Sequence, residues 1–378
     1  MNRTLIKQRV QHGWISPLLI AVGLGSCAAL ALAQTDPPRT KAAAQLTQRD
    51  GQHDFDFIFG HWKVHLKRRT LSPTGADSWT EFDGYSVYRK IWDGRANLNE
   101  FEAHGPAGRI EGLTLRTYDP KTRQWSLYWA NSQDGMLGSP QVGQFHDGVG
   151  EFYAQDKLDG RSVFIRYVWS KVTENSVHFE QAFSHDGGKT WDVNWISDMV
   201  RIPDAPANAF PASAAQDGQR DFDPLVGSWN YRLKRRTNPL TGSTTWIDLT
   251  GTGTCYRLWG GRAQLDTIVV SGPSGRIEGL TLRLYNPKSH EWRLYWANSN
   301  SGVVDPPQIG QFRNGRGEFY AQDSLNGKSI FVRFDWTALA SKSPHFEQAF
   351  SEDGGKTWEV NWITDQTRIE DATSEDRG

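Results

Sequence analysis

The chain has 378 residues, a length typical of two or three domains of about 150 residues each. Its 42 Lys+Arg nearly balance 43 Asp+Glu, so the average composition indicates neither a polybasic nucleic-acid-binding surface nor an acidic disordered tail. The 17 Trp, 18 Phe and 11 Tyr, beside 37 Gly, favour strands and tight turns over helices, and we expect an all-β protein.

The segment 1–33 has the pattern of a secretory signal peptide. Basic residues without an acidic one precede a mostly apolar run that ends at Ala31-Leu32-Ala33, a cleavage-site pattern. Small residues dilute the run, which argues against a membrane-spanning helix. We therefore expect cleavage after Ala33 and a periplasmic or extracellular protein. The alternative is a lipoprotein, because Leu24-Gly25-Ser26-Cys27 resembles a lipobox whose cysteine carries the lipid.

The rest of the chain contains the same unit twice. Equivalent residues are separated by a constant number of positions, so that position 221 in the second copy corresponds to position 54 in the first. The stretch 109–116 returns at 276–283, 128–132 at 295–299, and 151–156 at 318–323. This period is far longer than the roughly 20–50 residues of solenoid repeats, so we expect each copy to bury its own core.

Each copy has the pattern of a meander of short strands. Alternating apolar and polar runs are bounded by turn residues, and in the first copy they predict strands at 62–69, 79–88, 97–103, 110–118, 124–130, 141–146, 150–155, 162–169, 177–184 and 191–201. Closure into a barrel would protect the sheet edges and leave room for one small ligand. We predict a signal peptide at 1–33, a flexible segment at 34–49, barrels at 50–202 and 217–370, a linker at 203–216 and a tail at 371–378.

One tripeptide at the first predicted strand of each copy supports the barrel prediction. Gly60-His61-Trp62 and Gly227-Ser228-Trp229 resemble the lipocalin G-x-W, and an arginine on each last strand matches the one that packs on that tryptophan. The resemblance implies a structural, barrel-closing role for Trp62, Arg201, Trp229 and Arg368.

The wider pattern resembles secreted bacterial proteins of unknown function with lipocalin-like barrels, the DUF1579-like group. The likeness lies in the leading F-D-F-x-x-G-x-W and the closing D-G-G-K-T-W, and it covers both copies. It implies two tandem lipocalin-like (calycin-type) antiparallel up-and-down β-barrels, and it supplies no reaction.

Polar residues alternate with Phe152 and Ala154 on one predicted strand, and the repeat has the same arrangement. If the polar face points inward, each barrel holds a carboxylate, a phenol, an amide and a guanidinium, which are costly to bury unless paired or bound to a ligand. If it points outward, these groups lie in solvent. We favour the inward arrangement, which makes these residues candidate ligand contacts: Glu151, Tyr153, Gln155, Arg166, Glu318, Tyr320, Gln322 and Arg333.

Aromatic residues next to amides form a second candidate site. Trp129 and Asn131 share a strand face, as do their repeats Trp296 and Asn298, and such a wall suits a sugar or a planar ligand.

An enzymatic alternative uses acid-base or hydrolytic chemistry. Its candidate catalytic residues are Glu151, Arg166, His178, Glu180, Glu318, Arg333, His345 and Glu347. No metal-ligand spacing, nucleotide fingerprint or basic tract is present, so we expect no metal, no cofactor and no nucleic-acid partner. The leading hypothesis is an exported protein that binds a small organic or saccharide-like molecule in each barrel. A third hypothesis is an envelope structural or interaction module.

Overall fold

The computed structural model describes residues 50–70, 78–158, 160–206, 210 and 218–369. The predicted signal peptide, its cleavage site, the Cys27 lipobox, the predicted flexible segment and the predicted tail lie outside these residues, and so does most of the predicted linker. No helix in the described ranges is long and apolar enough to cross a bilayer.

The first copy is an antiparallel barrel of ten strands in chain order, with one additional two-residue strand. The barrel closes where the first strand pairs with the last one and the fourth pairs with the fifth. The strands are β1 (Gly60–Thr70), β2 (Ser78–Ile91), β3 (Ala96–Gly105), β4 (Gly108–Asp119), β5 (Gln124–Asn131), the short β6 (Met136–Leu137), β7 (Gln141–His146), β8 (Val149–Leu158), β9 (Arg161–Ser170), β10 (Ser176–Ser184) and β11 (Asp192–Ile202).

The second copy is a closed barrel of ten strands with the same order. Its strands are β12 (Gly227–Arg236), β13 (Trp246–Leu258), β14 (Ala263–Gly272), β15 (Gly275–Asn286), β16 (Glu291–Asn298), β17 (Gln308–Arg313), β18 (Arg316–Leu325), β19 (Lys328–Thr337), β20 (His345–Ser351) and β21 (Glu359–Arg368). The prediction of an all-β chain with two tandem up-and-down barrels is therefore confirmed.

A short 3-10 turn before the first strand fills one end of each barrel. The turns are Asp56–Ile58 and Asp223–Leu225, and two further 3-10 turns, Trp92–Gly94 and Trp259–Gly261, follow β2 and β13. Phe55 and Phe222, next to the first pair, have no solvent exposure. Each packs edge-on against a core tryptophan, with ring centroids 5.0 and 5.2 Å apart. Burying these large rings closes the end at which the G-x-W tripeptides lie.

The outer faces of β3–β5 and β14–β16 form one apolar cluster that both barrels share. Its leucines include Leu113 and Leu115 from β4 and Leu280 and Leu282 from β15, all fully buried. These strands are therefore buried on both faces, because their inner faces line the barrels.

Reciprocal ion pairs flank this shared cluster. Arg95 donates to Glu278 at 2.5 Å, and the equivalent Arg262 donates to Glu111 at 2.5 Å. The two partners of each pair come from different barrels, and each pair is the counterpart of the other in the repeat. The interface therefore has the twofold character typical of a symmetric dimer, within one chain.

Candidate functional site

The inner wall of barrel one is shaped by a glycine on β4. A Cβ atom at Gly112 would lie 2.0 Å from the ring of Trp129, so only glycine allows the indole to lie flat across the strand. Gly279 and Trp296 have the same relation in barrel two, also at 2.0 Å. The repeat thus preserves a place for one flat ring inside each barrel.

A buried arginine lies deeper in barrel one. Arg116, on β4, is 2% exposed, and its guanidinium carbon lies 5.1–5.4 Å from the ring centroids of Phe55, Tyr88 and Trp169. Its Nη1 donates to two side-chain oxygens of β3, Asn97 Oδ1 at 3.0 Å and Asn99 Oδ1 at 2.9 Å. Its Nε has no hydrogen-bond partner in the described protein.

Arg283 occupies the equivalent position in barrel two but has a different partner. Its Nη2 donates to Asp266 Oδ2 at 2.8 Å, and Tyr231 donates its hydroxyl to the other oxygen of that carboxylate at 3.2 Å. The guanidinium carbon lies 4.8 and 5.3 Å from the rings of Phe222 and Trp336. Both barrels therefore hold an arginine among aromatic rings, and barrel two neutralises its charge.

Each barrel contains a partly open cavity beside its buried arginine. The cavities have volumes of about 460 Å³ in barrel one and about 350 Å³ in barrel two, and Trp129 and Trp296 belong to their respective walls. Sites of roughly 300–1,000 Å³ with mostly apolar walls and a few polar groups are typical of small-molecule binding.

The prediction that the polar face of β8 points inward is wrong. Phe152 is fully buried in the core, whereas Glu151, Tyr153 and Gln155 are exposed. The repeat behaves alike, since Phe319 is fully buried and Tyr320 is 45% exposed. The apolar side chains take the interior because burying a phenyl ring is favourable, while an unpaired interior carboxylate is costly.

The other predicted contacts from this set also lie on the outer surface. Arg166 pairs in register with Tyr153 and lies over the Trp191 ring at 4.7 Å. Arg333 lies over Trp358 at 4.9 Å. The side-chain amides of Gln155 and Gln322 each donate a hydrogen bond to a serine on the adjacent strand, β9 or β19. Glu318 forms an ion pair with Arg316 at 3.3 Å. None of Glu151, Tyr153, Gln155, Arg166, Glu318, Tyr320, Gln322 and Arg333 lines either cavity.

The amides predicted to anchor a ligand beside the tryptophans lie at the last positions of β5 and β16 and bond to the turns that follow. Asn131 accepts from the backbone of Gln133 at 2.9 Å and donates to Asp134, while Asn298 accepts from the backbone of Asn300 at 3.1 Å. Trp129 and Trp296 reach the cavities, whereas Asn131 and Asn298 are absent from the cavity walls. The amides satisfy turn backbone instead, which is a common use of asparagine.

The candidate catalytic histidines lie on the outer faces with carboxylates beside them. His178 contacts Glu180 at 2.9 Å and Asp198, which the sequence prediction did not include, at 2.6 Å. Burial lowers the pKa of His178, but the two carboxylates outweigh burial and hold the pKa above its ordinary value. His345 contacts Glu347 at 3.3 Å and Asp365, the equivalent of Asp198, at 2.7 Å.

The structure does not bring these histidines together with the glutamates of the polar strand. Glu151 pairs in register with Val168, which pairs with Glu180, so a full strand separates the two carboxylates. The predicted catalytic set is therefore split between separate positions on the outside of the barrel, away from the cavity.

Each predicted barrel-closing pair is in contact. The Arg201 guanidinium carbon lies 4.3 Å from the Trp62 ring centroid, and that of Arg368 lies 4.2 Å from Trp229. Arg201 also donates to the backbone oxygen of Phe59 at 2.6 Å, which holds the turn at the barrel end.

Sequence reasoning missed Arg116, Arg283 and Asp266 as interior groups. On β4, Leu113 and Leu115 alternate with polar residues, and alternation alone places the leucines inside. The leucines instead face the other barrel, which leaves Arg116 inside. The available signal was that the arginine recurs unchanged in the second copy, within a strand of alternating leucines.

Two other chemical possibilities find no support in the described part of the chain. There, no group of three or more potential ligands could hold a metal ion. The free thiol of Cys255 is buried, and burial raises its pKa to about 12, which suppresses the reactive thiolate.

Comparison with known proteins assigns no family. No protein-family model matches the chain. No curated protein matches it either. The resemblance to the DUF1579-like group therefore stays a prediction.

Solved structures that are similar to the chain at low identity include the following three. An S-type phycobiliprotein lyase from Guillardia theta is 9% identical, and the match covers 42% of this chain and 99% of the lyase chain, with a TM-score of 0.28. A protein of unknown function from the DUF3598 family of Nostoc punctiforme is 11% identical over 84% of this chain and 99% of its own, with a TM-score of 0.22. A transferrin binding protein B double mutant from Haemophilus parasuis is 6% identical, and the match covers 82% of this chain and 76% of the other chain, with a TM-score of 0.17. None of these similarities carries an argument about the function of this chain.

Proposed function

We propose that the chain is a binding protein that holds one small organic ligand inside each of its two barrels. The observation that carries this proposal is the pair of cavities of about 460 and 350 Å³, each with a buried arginine and aromatic walls. An arginine buried in a strand lowers stability unless its charge and donors are used, and ligand binding is one such use.

The walls of barrel one fit an aromatic or otherwise apolar body. Phe101, Trp129 and Trp195 contact one another with ring centroids 6.2–6.3 Å apart and face the cavity together. Such rings provide a large apolar contact area at low cost in side-chain entropy. A saccharide-like ligand, which also stacks on aromatic rings, is included in this proposal.

A fluorescent apolar probe, N-phenyl-1-naphthylamine, tests the proposal on the chain without residues 1–33. Thr114 and Thr281 occupy equivalent wall positions, so Thr114→Trp fills the cavity of barrel one and Thr281→Trp that of barrel two. We expect probe emission to rise on binding, each variant to remove one of two sites, and the double variant to remove both. Retention of both sites in a folded double variant would place binding outside the barrels and refute the proposal.

Mass spectrometry of small molecules that co-purify with the protein addresses the identity of the ligand. We expect a molecule that is present in the unmodified chain and lost from the folded double variant.

We also propose that the protein works outside the cytoplasm. The support is the sequence pattern of residues 1–33, which the described ranges do not include. Cell fractionation with N-terminal sequencing tests it, because a mature chain that begins at Gln34 fits peptidase cleavage, whereas one that begins at a lipidated Cys27 fits a lipoprotein. Recovery of the uncleaved chain in the cytoplasm would refute export.

A further inference from the structure

The two cavities differ in charge. Three arginines belong to each set of wall residues: Arg68, Arg69 and Arg116 in barrel one, and Arg235, Arg236 and Arg283 in barrel two. Barrel two adds the carboxylates of Asp266, Asp305 and Asp323. Among the described residues that line barrel one, no carboxylate is present.

The contrast is sharpest at one position of the repeat. Asn99 in barrel one corresponds to Asp266 in barrel two, and each accepts a hydrogen bond from the buried arginine of its own barrel, at 2.9 and 2.8 Å. The side-chain amide provides an acceptor but no negative charge. The guanidinium of Arg116 is therefore hydrogen-bonded but not neutralised, while that of Arg283 has a counter-ion.

The pKa shifts agree with this geometry. Burial is the largest influence on both guanidinium groups and lowers the pKa of Arg116. At Arg283 the opposing influences, of which the charge of the Asp266 carboxylate is the largest, together exceed the effect of burial, and the pKa is raised. A negatively charged group brought beside Arg116 would supply the missing interaction, whereas in barrel two it would meet the Asp266 carboxylate.

We propose that barrel one selects an organic anion, one negatively charged group on an apolar or aromatic body, with Arg116 as its counter-ion, and that barrel two selects an uncharged ligand. This inference rests on the proposed function, because it assigns ligand classes to the same cavities. The aromatic wall of Phe101, Trp129 and Trp195 would contact the body, and Arg68 adds positive charge at the far end of β1.

A matched pair of probes separates charge from shape. 8-Anilinonaphthalene-1-sulfonate carries a sulfonate on nearly the same ring system as the uncharged N-phenyl-1-naphthylamine. Each barrel is examined by itself, with Thr281→Trp leaving barrel one open and Thr114→Trp leaving barrel two open. We expect barrel one to bind the sulfonate at least about tenfold more tightly than barrel two does.

Exchanging the two residues at the decisive position should exchange the preference. With barrel one open, Asn99→Asp should weaken sulfonate binding by at least about tenfold and change binding of the uncharged probe by less than about threefold. With barrel two open, Asp266→Asn should strengthen sulfonate binding. Because Asp266→Asn removes a buried counter-ion and can unfold its barrel, circular dichroism accompanies each variant. Asn99→Asp adds a counter-ion, so this arm decides the question by itself.

The outcomes separate the inference from the function that supports it. If neither probe binds either open barrel, the proposed function fails and the inference fails with it. If both probes bind and Asn99→Asp leaves sulfonate affinity unchanged, or changes both affinities equally, binding stands and the charge assignment is overturned. If inorganic sulfate at the probe's own concentration displaces the sulfonate probe completely, the site accepts a bare anion and the requirement for an apolar body is overturned.

Discussion

Neighbouring residues on β8 should differ sharply in their contribution to stability, because they lie on opposite faces of barrel one. Phe152 is 0% exposed and lies 5.7 Å from Phe55 and 5.8 Å from Phe145 between ring centroids. Tyr153 is 42% exposed, and its ring centroid lies 5.9 Å from that of Trp191. The two truncations to alanine remove rings of similar size from very different surroundings.

The magnitude follows from burial. Phe152→Ala should lower the free energy of unfolding by about 3–5 kcal/mol, because it removes a buried ring and leaves a cavity. Tyr153→Ala should cost about 1 kcal/mol or less, since its ring is already largely hydrated. At roughly 2–4 °C per kcal/mol for a unit of 150–250 residues, a gap of about 3 kcal/mol separates the melting temperatures by about 6–12 °C.

Urea unfolding followed by tryptophan fluorescence and far-UV circular dichroism measures the difference. Phe319→Ala and Tyr320→Ala provide the matched test in barrel two, where the exposed fractions are 0% and 45%. Equal losses for Phe152→Ala and Tyr153→Ala, or a larger loss for the tyrosine, would refute the placement of Phe152 inside the barrel and Tyr153 outside it.

Three further outcomes are expected. Gly135→Ala should lower the free energy of unfolding by about 2 kcal/mol or more, because its φ is +55° and a Cβ would lie 2.1 Å from the backbone oxygen of Tyr285 in the other barrel. An NMR titration should give His178 a pKa above its ordinary value of 6.5, lowered by Asp198→Asn. The stabilisation from His178 is then complete below about pH 6.5 and lost as the pH rises through the folded-state pKa. Cys255, with a pKa of about 12, should react with a thiol reagent at pH 8 only after unfolding.

Each of these outcomes has its own control. Gly242 has a φ of +77° and nothing within 4 Å of an added Cβ, so Gly242→Ala isolates backbone strain, and a loss as large as that of Gly135→Ala would contradict the inter-barrel contact. A pKa at or below 6.5 for His178 would show that burial dominates over its carboxylates. Thiol labelling uses a chain without residues 1–33, which removes Cys27, and rapid labelling of the folded protein would contradict the burial of Cys255.

Local patterns were enough to predict the strands and their duplication. The ten strands predicted for the first copy overlap β1–β5 and β7–β11, because period-two alternation and turn residues act over a few neighbouring positions. The recurrence of whole segments at one constant offset required no structure at all.

The direction in which each strand faces was not predictable by the same means. On β8, alternation separates Phe152 from Tyr153 but does not say which of them is inside, and only closure of the barrel decides it. On β4 the usual rule is reversed, since Leu115 packs on the second barrel while Arg116 points into the first.

The amino-acid sequence by itself thus determined the fold class, the repeat and the strands. The repeat is visible in the sequence directly, and the strand pattern that indicates the fold class depends on near neighbours in the chain. The tertiary structure alone decided where the candidate site lies. A strand between a cavity and a second barrel is buried on both faces, so hydrophobicity no longer distinguishes inside from outside, and the position of Arg116 depends on contacts with residues far away in the sequence.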